Sequence, residues 1–95
     1  MEITIKSLKF DADKKLIAFV EKKVARLSKF LAGADTDADV TLTLEKDGKA
    51  AKIQIPGVAG GLIIERTSDT FENAITACVD AMKEKLTREK EKKQA

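Results

Sequence analysis

The hydrophobic period changes along this chain, and that change limits the folds it can adopt. The first residues alternate with period two, which predicts a half-buried strand with Ile3 and Ile5 facing inward. Residues 14–31 then carry apolar side chains at helical spacing, within a stripe about 80° wide. Asp13 stands where a helix N-cap belongs, and Gly33 stands where a left-handed C-terminal cap belongs. We therefore expect a strand followed directly by an amphipathic helix.

Three more strands and a long helix are predicted after an acidic loop at 34–39. Residues 40–45 alternate, and Asp47-Gly48 predicts a two-residue hairpin loop in which both residues have positive φ. Further strands are expected at about 50–55 and at 62–67. The pattern does not decide which side chains of the second strand face inward, because its apolar residues Leu62, Ile63 and Ile64 are consecutive. The last helix runs from about residue 70 to the low nineties. Its apolar face is formed by Phe71, Ile75, Cys78, Val79, Met82 and Leu86.

This element order predicts an α+β fold, a β-α-β-β-β-α two-layer sandwich in a single domain over residues 1–95. The helix between the first two strands makes them parallel, and hairpins make the rest of the four-stranded sheet antiparallel. Both helices need to bury a stripe, so we expect them on one face of the sheet. Residues 86–95 hold no apolar side chain between Leu86 and Ala95, which predicts a projecting charged helical tail.

The composition argues against an enzyme. The chain has no His, Tyr or Trp and a single cysteine, Cys78, on the apolar face of the last helix. Histidine is the commonest general base and metal ligand, so we expect no catalytic residue, metal, cofactor or small-molecule substrate. A run of about 18 apolar residues would be needed to span a membrane, and none is present. We expect a cytoplasmic protein that does not act at a membrane.

Basic residues form a stripe on the first helix. Lys15, Lys22, Arg26 and Lys29 share a sector about 60° wide, and Lys23 flanks it. From the first of these residues to the last, the stripe covers about 21 Å of helix, which is long enough to follow several backbone phosphates. Simple solvation of the outer helix face explains the same pattern, and that alternative stays open.

The last helix is less one-sided, because its acidic and basic residues alternate. Glu84 and Arg88 are spaced to form an i,i+4 pair, so part of this charge is expected to neutralise itself. If the basic flanks of the two helices merge, they form one surface for an RNA backbone. The candidate RNA-binding residues are Lys15, Lys22, Lys23, Arg26, Lys29, Lys85, Arg88, Lys90 and Lys92.

Two segments resemble the short form of the bacterial ribosome hibernation factors, called hibernation promoting factor or ribosome-associated inhibitor. They are Leu16–Phe30 (LIAFVEKKVARLSKF) and Asp69–Leu86 (DTFENAITACVDAMKEKL). Lys23 and Arg26 match basic positions of the family. The family commonly has basic residues where this chain has Ala81 and Glu84.

This resemblance implies a partner and a mechanism. Family members bind the decoding channel of the small ribosomal subunit, against 16S rRNA, and block messenger and transfer RNA during stress or stationary phase. Two other functions stay open from the residues alone: a general structured-RNA-binding domain and a protein-interaction module. The sequence also leaves open whether the protein promotes or prevents ribosome dimerisation.

Overall fold

The predicted order of elements is confirmed in a computed structural model, which describes residues 2–30, 37–57 and 61–94, with side chains up to residue 88. Residues 31–36, and with them Leu31 and the proposed cap Gly33, lie outside the described residues. The elements are β1 (Ile3–Leu8), α1 (Lys14–Ala25), a 3₁₀ segment (Arg26–Phe30), β2 (Ala38–Glu45), β3 (Gly48–Ile55), β4 (Leu62–Ser68) and α2 (Phe71–Gln94).

The four strands form one mixed sheet in the order β1-β2-β3-β4. β1 is parallel to β2, with Leu8 beside Thr43, and the other two pairings are antiparallel. This topology confirms the predicted α+β class. Since β2 already begins at Ala38, the acidic loop is shorter than predicted, and Asp39 belongs to the sheet.

The hairpin between β2 and β3 differs from the prediction. Its loop consists of Lys46 and Asp47, and Gly48 already pairs with Glu45 as the first residue of β3. Asp47 does not have positive φ, whereas Gly48 has φ 156°. A Cβ at Gly48 would lie 2.9 Å from the backbone oxygen of Ser68, closer than real Cβ contacts allow. Glycine is therefore required here by the close approach of β4.

Helix α1 begins as predicted but ends earlier. The Asp13 carboxylate accepts a hydrogen bond of 2.8 Å from the Leu16 N–H, which caps the first turn. The α-helix stops at Ala25, and the Arg26 N–H donates to the Lys23 carbonyl three residues back. The next five residues wind as a 3₁₀ helix. The prediction of one α-helix over 14–31 is therefore wrong for its last turns.

Both helices cover the same face of the sheet, as predicted. One buried cluster joins Val20 and Val24 of α1 to Ile53 of β3 and Ile75 of α2. All six residues predicted for the apolar face of α2 are buried. On β4 the buried residue is Ile64, whereas Ile63 faces away from the helices and is 52% exposed, which settles the inward face of that strand.

The opposite face of the sheet is mostly polar, although Leu8 of β1 and Ile63 of β4 are also exposed on it. Thr4 of β1 is exposed, and Thr41 of β2 and Lys52 of β3 are partly exposed on that face. No helix in the described part of the chain is long and apolar enough to cross a membrane.

Candidate nucleic-acid interface

The change from α to 3₁₀ winding brings Arg26 and Lys29 into line. A 3₁₀ helix turns about 120° per residue, so residues three apart eclipse one another. Arg26 and Lys29 stand three apart within the 3₁₀ segment, and together with Lys23 of the last turn of α1 they line one groove beside α2. With α-helical winding, Lys29 would point about 60° away from Arg26. The 3₁₀ segment therefore turns a stripe on the outer face of α1 into one wall of a groove.

Hydrophobic packing holds this wall in place. Leu27 is fully buried between the basic positions, so the segment is fixed against the core. Phe30, three residues later on the same eclipsed line, is partly buried and packs against that core. Burying these apolar side chains leaves Arg26 and Lys29 exposed to solvent at the groove.

Helix α2 forms the other wall. Thr76, Val79, Asp80 and Lys83 line it, and Val79 is buried while Lys83 is exposed. The Lys83 Nζ atom lies 5.6 Å from the centre of the Phe30 ring, across the groove, which is a cation–π distance. Lys83 is absent from the residues that the sequence nominated. Its spacing of four residues from the buried Val79 is the signal that places it at the edge of the apolar face.

The groove is open and positively charged. Its volume is about 410 Å³. Among its described lining residues are four cations, Lys23, Arg26, Lys29 and Lys83, and one carboxylate, that of Asp80. Among the side chains that the structure describes, none of these five forms an ion pair within 4 Å. The cations are thus available to an anion of matching shape, such as a nucleic-acid backbone.

Two of the nominated residues of α1 lie outside this groove. Lys15 lines a separate cleft at the start of α1, beside the carboxylates of Asp11 and Asp13. Lys22 is exposed in the last turn of α1, where a cation also stabilises the helix dipole. Lys15 and Lys22, seven residues apart in α1, still share one face of that helix, but neither lines the groove.

The nominated residues of α2 that the structure describes, Lys85 and Arg88, do not line this groove. Lys85 follows Lys83 by two positions and so projects about 160° away around the helix. The Arg88 Nη2 atom lies 2.6 Å from the Glu84 Oε1 atom, which forms the i,i+4 pair expected from the sequence. This pair is largely exposed, so it contributes little stability, but it reduces the charge that Arg88 offers to a ligand. Lys90 and Lys92 belong to α2, and their side chains lie outside the described part of the chain.

Cys78 takes no part in the groove. Its thiol donates to the Ala51 carbonyl at 3.1 Å, and burial raises its pKa to about 11. A thiol with this pKa stays protonated at neutral pH and is a poor nucleophile. No group of three or more His, Cys, Asp or Glu side chains in the described ranges is arranged to hold a metal ion.

Comparison with known proteins gives consistent matches. The family model described as "Sigma 54 modulation protein / S30EA ribosomal protein" matches residues 3–94. The solved N-terminal domain of Thermus thermophilus Protein Y is 27% identical, with a TM-score of 0.79 over 93% of this chain and 98% of that one. A ribosomal subunit interface protein from Coxiella burnetii superposes with a TM-score of 0.80 over 95% and 98% of the two chains. Its 15% identity shows a shared fold alone. A search of curated protein sequences finds no significant match.

Proposed function

Because this chain belongs to the sigma 54 modulation protein / S30EA ribosomal protein family, we propose that it is a ribosome hibernation factor. In this proposal it binds the decoding channel of the small ribosomal subunit, against 16S rRNA. There it blocks messenger and transfer RNA in the cytoplasm during stress or stationary phase. It acts by occupying the channel, without catalysis and without a cofactor.

Family membership confirms the resemblance found in the sequence, and it makes the chain a ribosome-associated protein of the subunit-interface and hibernation type. The finer statement, that it inhibits by occupying the channel, is supported by the groove between α1 and α2. From Lys23 to Lys29 its wall extends about 10 Å along the helix axis. Cations over that length match a stretch of backbone phosphates and would release their counterions on binding.

The composition of the groove favours recognition of the RNA backbone over the reading of bases. Phosphate contacts position a protein, and base edges specify a sequence. The groove offers four cations, and Phe30 is its one aromatic ring, partly covered by the Lys83 ammonium group. A protein that contacts only the backbone can still recognise a folded RNA, such as rRNA, by the shape of that fold.

Sedimentation with purified small subunits tests this proposal. The test variant reverses three charges in the groove: Lys23→Glu, Arg26→Glu and Lys29→Glu. We expect the unmodified protein to pellet with the subunits at physiological salt and the variant to stay in the supernatant. Retention of the variant on the subunits would refute the role of the groove.

A matched variant controls for the change in net charge. It carries Lys6→Glu, Lys14→Glu and Lys46→Glu, three exposed positions outside the groove. We expect it to pellet like the unmodified protein. Added duplex RNA should not displace a protein that recognises the folded subunit. Displacement at equal mass of RNA would favour the general structured-RNA-binding alternative. If neither variant reduces pelleting, a protein-interaction surface becomes the better explanation.

A further inference from the structure

A second cleft lies where both helices begin, at the opposite end of their interface from the basic groove. Its apolar lining comes from Phe10, Leu16, Phe19 and Phe71, and its volume is about 530 Å³. The rings of Phe10 and Phe71 stack with centroids 4.3 Å apart and an angle of 11° between their planes. Phe71 is buried, whereas Phe10 and Phe19 are partly exposed. Phe10 and Phe19 thus present ring surface to solvent, and the buried Phe71 supports Phe10 from the core side.

The backbone is strained at the point where it delivers Phe10 to this cleft. Lys9, between β1 and Phe10, has φ 70°, in the left-handed region that lysine rarely adopts. Such a conformation costs on the order of 1 kcal/mol and persists only where surrounding contacts fix it. The stack of Phe10 on Phe71 is such a contact. The aromatic cleft is therefore a defined arrangement and is not a frayed loop.

Acidic side chains surround these rings. Asp11, Asp13 and Glu72 line the cleft, and Lys15 is the one cation among its described lining residues, so the lining carries a net charge of −2 in a chain whose total is +2. The Lys23 Nζ atom lies 5.6 Å from the centre of the Phe19 ring, so one face of that ring already carries a cation and the Phe10 ring is the one left to a ligand. Among the described side chains, no lysine or arginine nitrogen lies within 4 Å of these carboxylates. Asp13 uses one oxygen to cap α1. Within the described residues, the other carboxylate oxygens of Asp11, Asp13 and Glu72 accept no hydrogen bond and remain open to a donor from a ligand.

Aromatic faces beside carboxylates are chemically suited to a guanidinium group. Its flat face stacks on a ring, and its five N–H donors match carboxylate oxygens in pairs. A nucleic-acid backbone would be repelled by three carboxylates, and a purely apolar side chain would leave them unused. We propose that this cleft binds an arginine side chain of an arginine-rich peptide segment of a partner protein. This inference is independent of the function proposed for the basic groove.

A short peptide tests the proposal directly. The probe is a fluorescein-labelled peptide with two arginines in a glycine–serine background, and its control has citrulline in place of both arginines. Citrulline keeps the shape of arginine and lacks its charge. In the ¹H–¹⁵N NMR spectrum of the full chain, we expect the arginine peptide to shift the amides of residues 10–19 and 71–73. The citrulline peptide should leave them in place.

Two isosteric double variants complete the test. Asp11→Asn with Glu72→Gln removes two charges from the cleft, and we expect about a tenfold loss of affinity in fluorescence anisotropy. Asp47→Asn with Glu65→Gln removes the same charge from the hairpin and the open face of the sheet, and should leave the affinity unchanged. Equal losses in both variants would overturn the proposal. So would equal binding of the citrulline peptide, or cleft shifts that appear with oligouridylate RNA and not with the peptide.

Discussion

Removing the four cations of the basic groove should change how ribosome binding depends on salt. The perturbation is a quadruple variant with glutamine at Lys23, Arg26, Lys29 and Lys83. Each phosphate contact contributes a slope of about −0.7 to −0.9 to a plot of log affinity against log salt concentration. Loss of four contacts should therefore make the slope less steep by about 3. Because these positions are partly or fully exposed, the free energy of unfolding should change little.

The slope translates into a large difference in affinity. Between 50 and 200 mM salt, four contacts account for roughly a hundredfold loss of binding. The unmodified protein should show this loss in full, and the quadruple variant should show only what its other contacts contribute. Fluorescence anisotropy of labelled protein, titrated with purified small subunits at four salt concentrations, gives both slopes.

A second quadruple variant separates the groove from general charge. It carries glutamine at Lys6, Lys14, Lys22 and Lys46, which lie outside the groove, and it has the same net charge as the first variant. Lys22 is informative because the sequence nominates it while the structure places it outside the groove. We expect the slope of this control to stay within about 1 of the unmodified protein. Equal changes of slope in the two variants would refute the groove as the site of phosphate contact.

Three further predictions concern folding and reactivity. Gly48→Ala places a Cβ against the Ser68 backbone oxygen, so urea denaturation should show a loss of about 2 kcal/mol. Hydrogen bonds from Asn73 and Ser68 hold the pKa of Asp69 below its usual value, so its contribution to stability is present at neutral pH and is lost as the pH falls through the acid range. Asp69→Asn should reduce the fall of the unfolding free energy with decreasing pH in the acid range. An unchanged curve would contradict the role of the Asp69 carboxylate in stability. Cys78, with a thiol pKa of about 11, should resist Ellman's reagent at pH 8 in the folded protein and react promptly in urea.

The sequence predicts most of the fold because the period of its apolar residues is determined by local geometry. Alternation in β1 and β3 and the helical stripe of α2 both require that one side be buried, and Ile53 and Met82 are fully buried. The cap of α1 is also local, because the Asp13 carboxylate accepts from the Leu16 N–H three residues later. These features depend on neighbours within four residues along the chain, so their pattern is visible in the sequence.

The groove could not be predicted in the same way, because it depends on contacts between distant segments. Nothing in the spacing of residues 26–30 distinguishes a 3₁₀ turn from an α-helical one, since Leu27 is apolar in either case. Which side of α2 faces α1 is decided by the packing of both helices on the sheet. That choice brings Lys83 into the groove and leaves Lys85 outside it. Gly48 illustrates the same limit, because its constraint comes from β4, twenty positions later.

The division of charge along the helix layer has two separable causes. The helices α1 and α2 begin at the same end, since one cleft joins their first turns and one groove joins their later ones. Acids near helix starts and bases near helix ends stabilise the helix dipole, so parallel helices become acidic at one end and basic at the other without any ligand. Lys29, beyond the end of α1, and Lys83, in the middle of α2, gain little from that effect. The helix dipole therefore does not account for the position of these two lysines, whereas the proposed binding of an RNA backbone does.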